Sequence, residues 1–301
     1  MVNSAERYTS NVFINTPPNR TNIEVVSDTC ISDELPFFSI VVPVYNQERI
    51  IINNLNSIIE NTTDKRFELI IIIDACSDAT EARIREWSTQ SPLLVRLLVL
   101  KSTAPLFETS ADNLGFYHSR GEYFLEIQAD MCITEQGYNM KLLQPFLLDP
   151  TILGISGRCC HSFSQKVGYG KLGSTVLRTK AELGLDDTCY YICNTCNRGP
   201  LLLNGAKLKE LGYLDEVNYF LDDSEHDLFA RAYLQKGWIC GYVPVDVTSP
   251  LEDGSTRKPR DSINRNAYNE RVAMTQRGIN GFLNKNRHLL INTEVQRYPL
   301  R

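Results

Sequence analysis

From Tyr219 to Trp238 the chain reads YFLDDSEHDLFARAYLQKGW, with Asp222, Asp223, Glu225 and Asp227 crowded at the start of a helical pattern. Acids at a helix N-terminus cap free N–H groups and suit the helix dipole, and Ser224 or Asp223 can serve as the cap. Four acids within six residues exceed what capping requires, and their mutual repulsion is costly without a cation or hydrogen-bond donors. Carboxylates so placed can take a proton from an attacking hydroxyl or hold a metal. Three further polar groups end apolar runs: Tyr45-Asn46-Gln47-Glu48, Asp74-Ala75-Cys76-Ser77-Asp78 and Gln128-Ala129-Asp130. Singly, an Asp at such a point reads as a turn residue. Three on one edge point to a site.

The elements that position these groups follow a regular rhythm. FFSIVVPVYN (37–46), FELIIIID (67–74), VRLLVL (95–100) and EYFLEIQAD (122–130) are apolar, β-branched runs. Between them lie helical patterns, such as Ile50, Ile51, Leu55, Ile58 and Ile59, and SADNLGFYHSRG stopped at Gly121. Strands that are apolar throughout and alternate with helices predict an α/β fold whose sheet is mostly parallel and covered on both faces. Ligands of such sheets bind outside the carboxyl ends of the strands. The second half is less regular: TILGISGRC and ICGYVPV read as strands, GPLLLNGAKLKELG as a strand or loop leading into a short helix, and SEHDLFARAYLQKGW as a helix closed by Gly237.

The chain has 301 residues, 43% hydrophobic and 22% charged, enough for a sizeable core in one large or two closely fused domains. A net charge of −5 argues against a nucleic-acid binder, which shows a net basic domain. From Ser255 to Arg301 ten Lys and Arg face three Asp and Glu, so the tail is basic and either holds phosphates or forms a solvated helix pair. The N-terminus has no apolar run resembling a signal peptide and no stretch suits a membrane span. The expectation is a cytoplasmic protein, or one meeting a membrane only peripherally from the cytosol. Residues 1–35 read as a polar extension, 36–250 as the globular domain (36–131 and 132–250 as its halves) and 251–301 as the tail.

Three motif matches carry less. GYGKLG (168–173) fits G-x-G-x-x-G by letter, but the HSFSQKV before it is too polar for the buried strand that a dinucleotide fingerprint follows. Cys189, Cys193 and Cys196 have C-x3-C-x2-C spacing, a zinc or iron–sulfur possibility; deep in the chain, with tyrosines between them and no barrel repeat, they read first as structural thiols. The four histidines are scattered and no G-x-S-x-G elbow occurs.

With these set aside, the acidic strand ends and the acid-rich helix resemble the inverting family 2 glycosyltransferases of the GT-A fold. FSIVVPVYNQE is similar to that family's first strand, IIIIDACSDAT to its second, and ADNLGFYHSRGEYFLEIQAD to the helix and strand that end in D-x-D. LNGAKLKELGYLDE and SEHDLFARAYLQKGW resemble the acceptor-side segment and the E-D-x-D-L helix. The resemblance covers roughly residues 37–244. It implies a GT-A-like nucleotide-diphospho-sugar transferase fold and a nucleotide-sugar donor, UDP- or GDP-linked, with a glycan or glycoconjugate acceptor.

The family's roles carry over residue by residue. The resemblance makes Pro43, Tyr45, Glu48 and Asp74 candidates to hold the nucleoside, with Asn113 and Gln128 also expected on the donor side. Asp130 is the metal ligand for Mn2+ or Mg2+, with Gln128 where the first D-x-D acid is usual. The later histidine ligand is missing, leaving Glu252, Asp253 or water in its place. Glu225 falls at the general-base position, where Asp is usual, with Asp223 and Asp227 as rivals. Arg231 either pairs with this acid cluster or lies exposed. Arg257, Lys258 and Arg260 either clamp the diphosphate or form a solvated basic turn. Two other functions stay open: a degenerate protein that binds a nucleotide sugar or glycan without turnover, and a nucleotidyltransferase, although PVYNQERI lacks the glycine-rich phosphate loop of the latter.

Overall fold

The computed structural model describes residues 22–31, 34–90, 95–163, 171–173, 179–221, 223–249, 261–275, 279–290 and 294–300. Its first half contains β1 (Ile23–Cys30), β2 (Phe38–Val44), α1 (Ile51–Asn61), β3 (Phe67–Asp74), α2 (Thr80–Gln90), β4 (Arg96–Ser102), α3 (Phe107–His118) and β5 (Tyr123–Glu126). There follow β6 (Cys132–Ile133), α4 (Tyr138–Leu148), β7 (Ile152–Ser156), β8 (Cys159–His161), β9 (Lys171–Gly173), α5 (Lys180–Leu183), β10 (Cys189–Cys193), β11 (Thr195–Cys196) and β12 (Leu201–Asn204). The rest comprises α6 (Gly205–Glu210), α7 (Ser224–Lys236), β13 (Ile239–Tyr242), β14 (Val247–Thr248), α8 (Ser262–Thr275), α9 (Phe282–Asn286) and β15 (Gln296–Pro299).

A ten-stranded sheet in the order β1-β4-β3-β2-β5-β12-β7-β13-β10-β15 is the frame. β4, β3, β2 and β5 run parallel, as their apolar runs predict. Past β5 the sheet is mixed: β12 is antiparallel to both neighbours, and β13 pairs β7 in parallel. The strand period of two splits the core into two layers. Phe38, Ile40 and Val42 of β2, with Leu69, Ile71 and Ile73 of β3, pack on one face. Val41, Ile70 and Ile72 pack on the other. Pro43 lies within β2, a position proline tolerates only where no ladder bond is lost; the β5 pairing ends at Val41, so the edge beside Pro43 is open.

Two boundaries differ from expectation. Residues 23–30, read as part of a polar extension, form β1 and pair antiparallel along β4. The reason is a buried charge: Glu68 on β3 is fully enclosed and accepts from Ser39 Oγ (2.5 Å), Arg120 N (2.6 Å) and Arg96 Nη1 (3.1 Å). Arg96 also donates to both oxygens of Asp28 on β1, at 2.8 and 3.1 Å. The basic tail is likewise not separate, since β15 pairs with β10 in the main sheet.

Close approach of α3 to β2 requires a glycine. A Cβ on Gly115 would stand 2.2 Å from Val41 Cγ1, so Gly115→Ala is expected to cost about 1–3 kcal/mol by overpacking, read from urea unfolding midpoints.

Candidate active site

The loops after β2 and β3 are stapled together at the carboxyl edge of the sheet. Asn46 Nδ2 donates to Ser77 Oγ (3.0 Å) and Ser77 N to Asn46 Oδ1 (2.8 Å). Glu48 accepts from Ala79 N (2.9 Å), while Gln47 N donates to Thr80 Oγ1 (2.7 Å). Asp74 receives Leu106 N (2.6 Å) and Phe107 N (2.9 Å), so its carboxylate holds the entrance to α3. The Tyr45 hydroxyl donates to Asp261 Oδ2 at 2.5 Å, and Ser77 Oγ to the same oxygen at 3.1 Å. Burial alone would raise the Asp261 carboxyl, but donors from Tyr45, Asn264 and Ser77 hold it down at about 2. The start of α8 therefore covers the edge where Tyr45 and Asp74 stand. Asp261 lies outside every motif read from sequence.

Asn113 is corrected. It is 1% exposed, and its amide exchanges hydrogen bonds with the backbone of Leu214, donating at 2.9 Å and accepting at 3.1 Å. With the side chain enclosed and tied to Leu214, it ties α3 to the loop before α7 and does not reach a donor. Arg257, Lys258, Arg260, Glu252, Asp253 and Asp222 lie outside the described residues, as does all of GYGKLG before Lys171.

The acid-rich helix sorts its carboxylates by environment. Asp227 is wholly buried, accepts from Arg231 Nε (2.9 Å) and from Leu283 N (2.8 Å), and so ties α7 to α9. Arg231, equally buried, donates onward to the carbonyls of Leu211 and Tyr213, each at 2.7 Å. Asp227 is thereby removed as a base, because no substrate hydroxyl can reach it. Asp223 caps α7 with a positive φ of 71° and an exposed side chain. Glu225 lies between these extremes: buried, at the first turn, with Oε2 3.5 Å from Arg198 Nε. Burial pushes its carboxyl up, but the positive charge of Arg198 and the neighbouring His226 outweigh it, and the net position lies below the usual glutamate range.

Arg198 and Glu108 are the residues that motif reading missed, and they join Glu225 to the strand end. Arg198 Nη1 is 3.0 Å from Glu108 Oε2. Glu108 Oε1 accepts from Gln128 Nε2 at 2.6 Å, and Gln128 Oε1 accepts from Arg158 Nη1 at 3.1 Å. Two residues on, Asp130 is half-buried; desolvation raises its carboxyl, with Ser249 and Arg158 working against it. No group of three or more His, Cys, Asp or Glu among the described residues could hold a metal alone. One desolvated carboxylate nevertheless fits a cation whose other ligands are diphosphate oxygens and water, the habit of Mg2+. Had Gln128 been an acid, it would stand against Glu108 as a like charge; the amide turns that contact into a hydrogen bond.

Among the described residues the cysteines belong to no group of three or more ligands that could hold a metal. Cys189, Cys193 and Cys196 are buried thiols on β10 and β11, none of them in a disulfide. Cys193 interacts with Cys160, and Cys196 with Cys240, within the hydrophobic layer.

A parallel nucleotide-side sheet, strand-end polar loops and an acid-rich helix across the same edge define a GT-A-like glycosyltransferase architecture. The description "Glycosyl transferase family 2" matches residues 39–196, more than half of the sequence, and the chain belongs to that family. It is 30% identical over 98 residues to the probable glycosyltransferase YdaM of Bacillus subtilis (strain 168), a match spanning 32% of this chain and 23% of that protein. In structure it is similar to the mannosyltransferase PcManGT from Pyrobaculum calidifontis in complex with GDP-Man and Mn2+: TM-score 0.52, 21% identity, 70% of this chain and 56% of that one. It is also similar to GalNAc-T7 with UDP, GalNAc and Mn2+: TM-score 0.57, 16% identity, 72% of this chain and 44% of that one. These matches therefore span from about a quarter to just over half of the relatives' own lengths. Among the described residues no helix is long and apolar enough to cross a membrane.

Proposed function

We propose that the protein transfers a sugar from a nucleoside diphosphate donor to an acceptor hydroxyl with inversion, Glu225 acting as general base. The observation that supports this reading is the continuous line of contacts Glu225–Arg198–Glu108–Gln128, which links a buried carboxylate, drawn below the usual glutamate range by Arg198, to the strand end two residues before Asp130. Such a carboxylate can take the proton of the acceptor hydroxyl as that oxygen attacks the anomeric carbon opposite the diphosphate. Tyr45, Glu48 and the β2 and β3 loops form the edge against which a nucleoside would lie, with Pro43 shaping the strand behind them. Asp223, exposed beside His226, faces the acceptor side. A divalent cation held by Asp130, Mn2+ or Mg2+, would offset charge on the departing diphosphate. The donor complexes of the structural neighbours support a nucleotide-sugar donor here, and a glycan or glycoconjugate is the acceptor class.

Calorimetric titration of UDP, GDP and ADP with and without Mn2+ tests the reading, followed by nucleotide release from the matching sugar donors. Asp130→Asn is expected to remove the Mn2+-dependent part of nucleotide affinity, about tenfold or more, or roughly 1.4 kcal/mol. Absence of any nucleotide binding by the wild-type chain would overturn the reading. Binding without turnover against a panel of glycan acceptors would instead favour a degenerate binding protein, the alternative that Gln128 at the D-x-D position keeps in view.

A further inference from the structure

Arg198 stands among four carboxylates drawn from three elements. Glu108 and Asp112 lie one turn apart on α3, Glu126 at the end of β5 and Glu225 at the start of α7. The guanidinium is 4% exposed and makes contacts on every side. Nη1 meets Glu108 at 3.0 Å, Nη2 donates to Ser224 Oγ and to Thr109 Oγ1, and Nε stands 3.5 Å from both Asp112 and Glu225. The next residue contributes too: Gly199 N donates to Glu126 Oε2 at 2.9 Å. Among the described residues neither oxygen of Asp112, nor Glu126 Oε1, nor Glu225 Oε2 accepts a hydrogen bond, and Arg198 Nε donates none. Arg158, hydrogen-bonded to the Arg198 carbonyl, His226, beside Glu225, and the thiols of Cys159 and Cys196 are the other titratable groups that face the cluster among the described residues, with exposed Asp223 at its rim.

We infer that Arg198 is a positioning residue for the transfer reaction, clamped by Glu108, Thr109 and Ser224 so that its Nε side faces Glu225 and Asp112 and its contact with Ser224 holds the first turn of α7. The inference rests on the base assignment made above. Two guanidinium groups, Arg198 and Arg158, face four carboxylates, three of them buried and Glu108 partly so, and cannot offset four negative charges, so the cluster must divide them. Burial pushes Asp112 and Glu126 well above the usual carboxylate range, whereas Glu225 is drawn below it. Pushing neighbouring carboxyl groups apart in this way assigns acid and base roles within a shared site. Because Ser224 precedes Glu225 in the chain and itself touches Arg198, the clamp also fixes the first turn of α7 and hence the direction of the Glu225 side chain.

The test reads Glu225 directly in the full chain, through NMR titration of carboxyl-13C-labelled glutamate with the Glu225 signal assigned by Glu225→Gln. Wild-type Glu225 is expected to titrate below the ordinary glutamate range. Arg198→Lys, which keeps a charge, is expected to leave it low. Arg198→Met/Glu108→Gln removes the cation together with the carboxylate it meets at 3.0 Å, so that folding does not depend on a stranded partner, and is expected to raise the titration by roughly 1–3 pH units. The acid limb of the pH profile for nucleotide release should rise with it, giving about a tenfold or greater loss at pH 5.5 relative to pH 8. An unchanged Glu225 titration in the double variant would overturn the inference. A shifted titration in a chain that turns over no nucleotide sugar would leave the Arg198 effect standing and count against the transferase reading alone.

Discussion

Glu225→Gln is expected to lower kcat for sugar transfer by about 10²–10⁴-fold while donor affinity, measured by calorimetry, stays within about threefold of wild type. The amide is nearly the same size as the carboxylate and keeps an oxygen toward Arg198, so the site is not emptied. What disappears is the group that accepts the hydroxyl proton as the new bond forms. A loss confined to KM would instead mean that Glu225 binds acceptor or donor without taking a proton. The pH dependence has a definite sign. A base must be ionised, and Glu225 is drawn below the usual glutamate range. Wild-type activity should therefore persist through pH 5–6 and fall only as the solution becomes more acidic than that carboxyl. Asp223→Asn, at an exposed position 58% accessible at the side chain, is expected to change kcat far less. Equal losses for the two variants would reopen the choice of base.

Arg231→Met is the substitution with the largest expected effect on stability, about 3–5 kcal/mol, because it leaves Asp227 as an unpaired buried charge. Both side chains are fully buried. Arg231 is also the donor that closes the carbonyls of Leu211 and Tyr213, so three contacts are lost together. Urea unfolding followed by tryptophan fluorescence measures the effect. Removing both charges in Arg231→Met/Asp227→Leu should cost less than the single change, since replacing a buried pair with apolar groups avoids the stranded charge. If the single variant unfolds at the wild-type midpoint, the pair does not anchor α7 to α9. The distinction matters for chemistry, because Asp227 and Glu225 lie two residues apart and have opposite tasks, one holding the helix and the other facing the site.

The first half of the chain was legible because its signals are local. FELIIIID reads as a buried strand and is one, with all eight residues enclosed. Gly237 reads as a helix stop and caps α7 in the left-handed region, at φ 69°. β1 was missed because IEVVSDTC is polar at many positions; it joins the sheet through backbone pairing with β4 and through the Arg96–Asp28 contact, neither of which periodicity reports. Asn113 was misplaced for a related reason. Its neighbours in sequence resemble a donor-side segment, yet its amide is claimed by Leu214, a hundred residues away in the chain.

By itself the sequence determined the alternation of buried strands and helices, the edge at which polar groups gather, and Asp130 and Glu225 as the acids to watch. These follow from period, turn chemistry and motif order, which act over a few residues. Only the tertiary structure decided which acid is which. Asp227 is neutralised by Arg231, Glu225 faces Arg198, and Gln128 is hydrogen-bonded to a carboxylate that α3 delivers from outside the strand. A carboxylate's charge depends on burial and on the cations around it, and the cation here, Arg198, comes from a loop that carries no periodic or motif signal of its own.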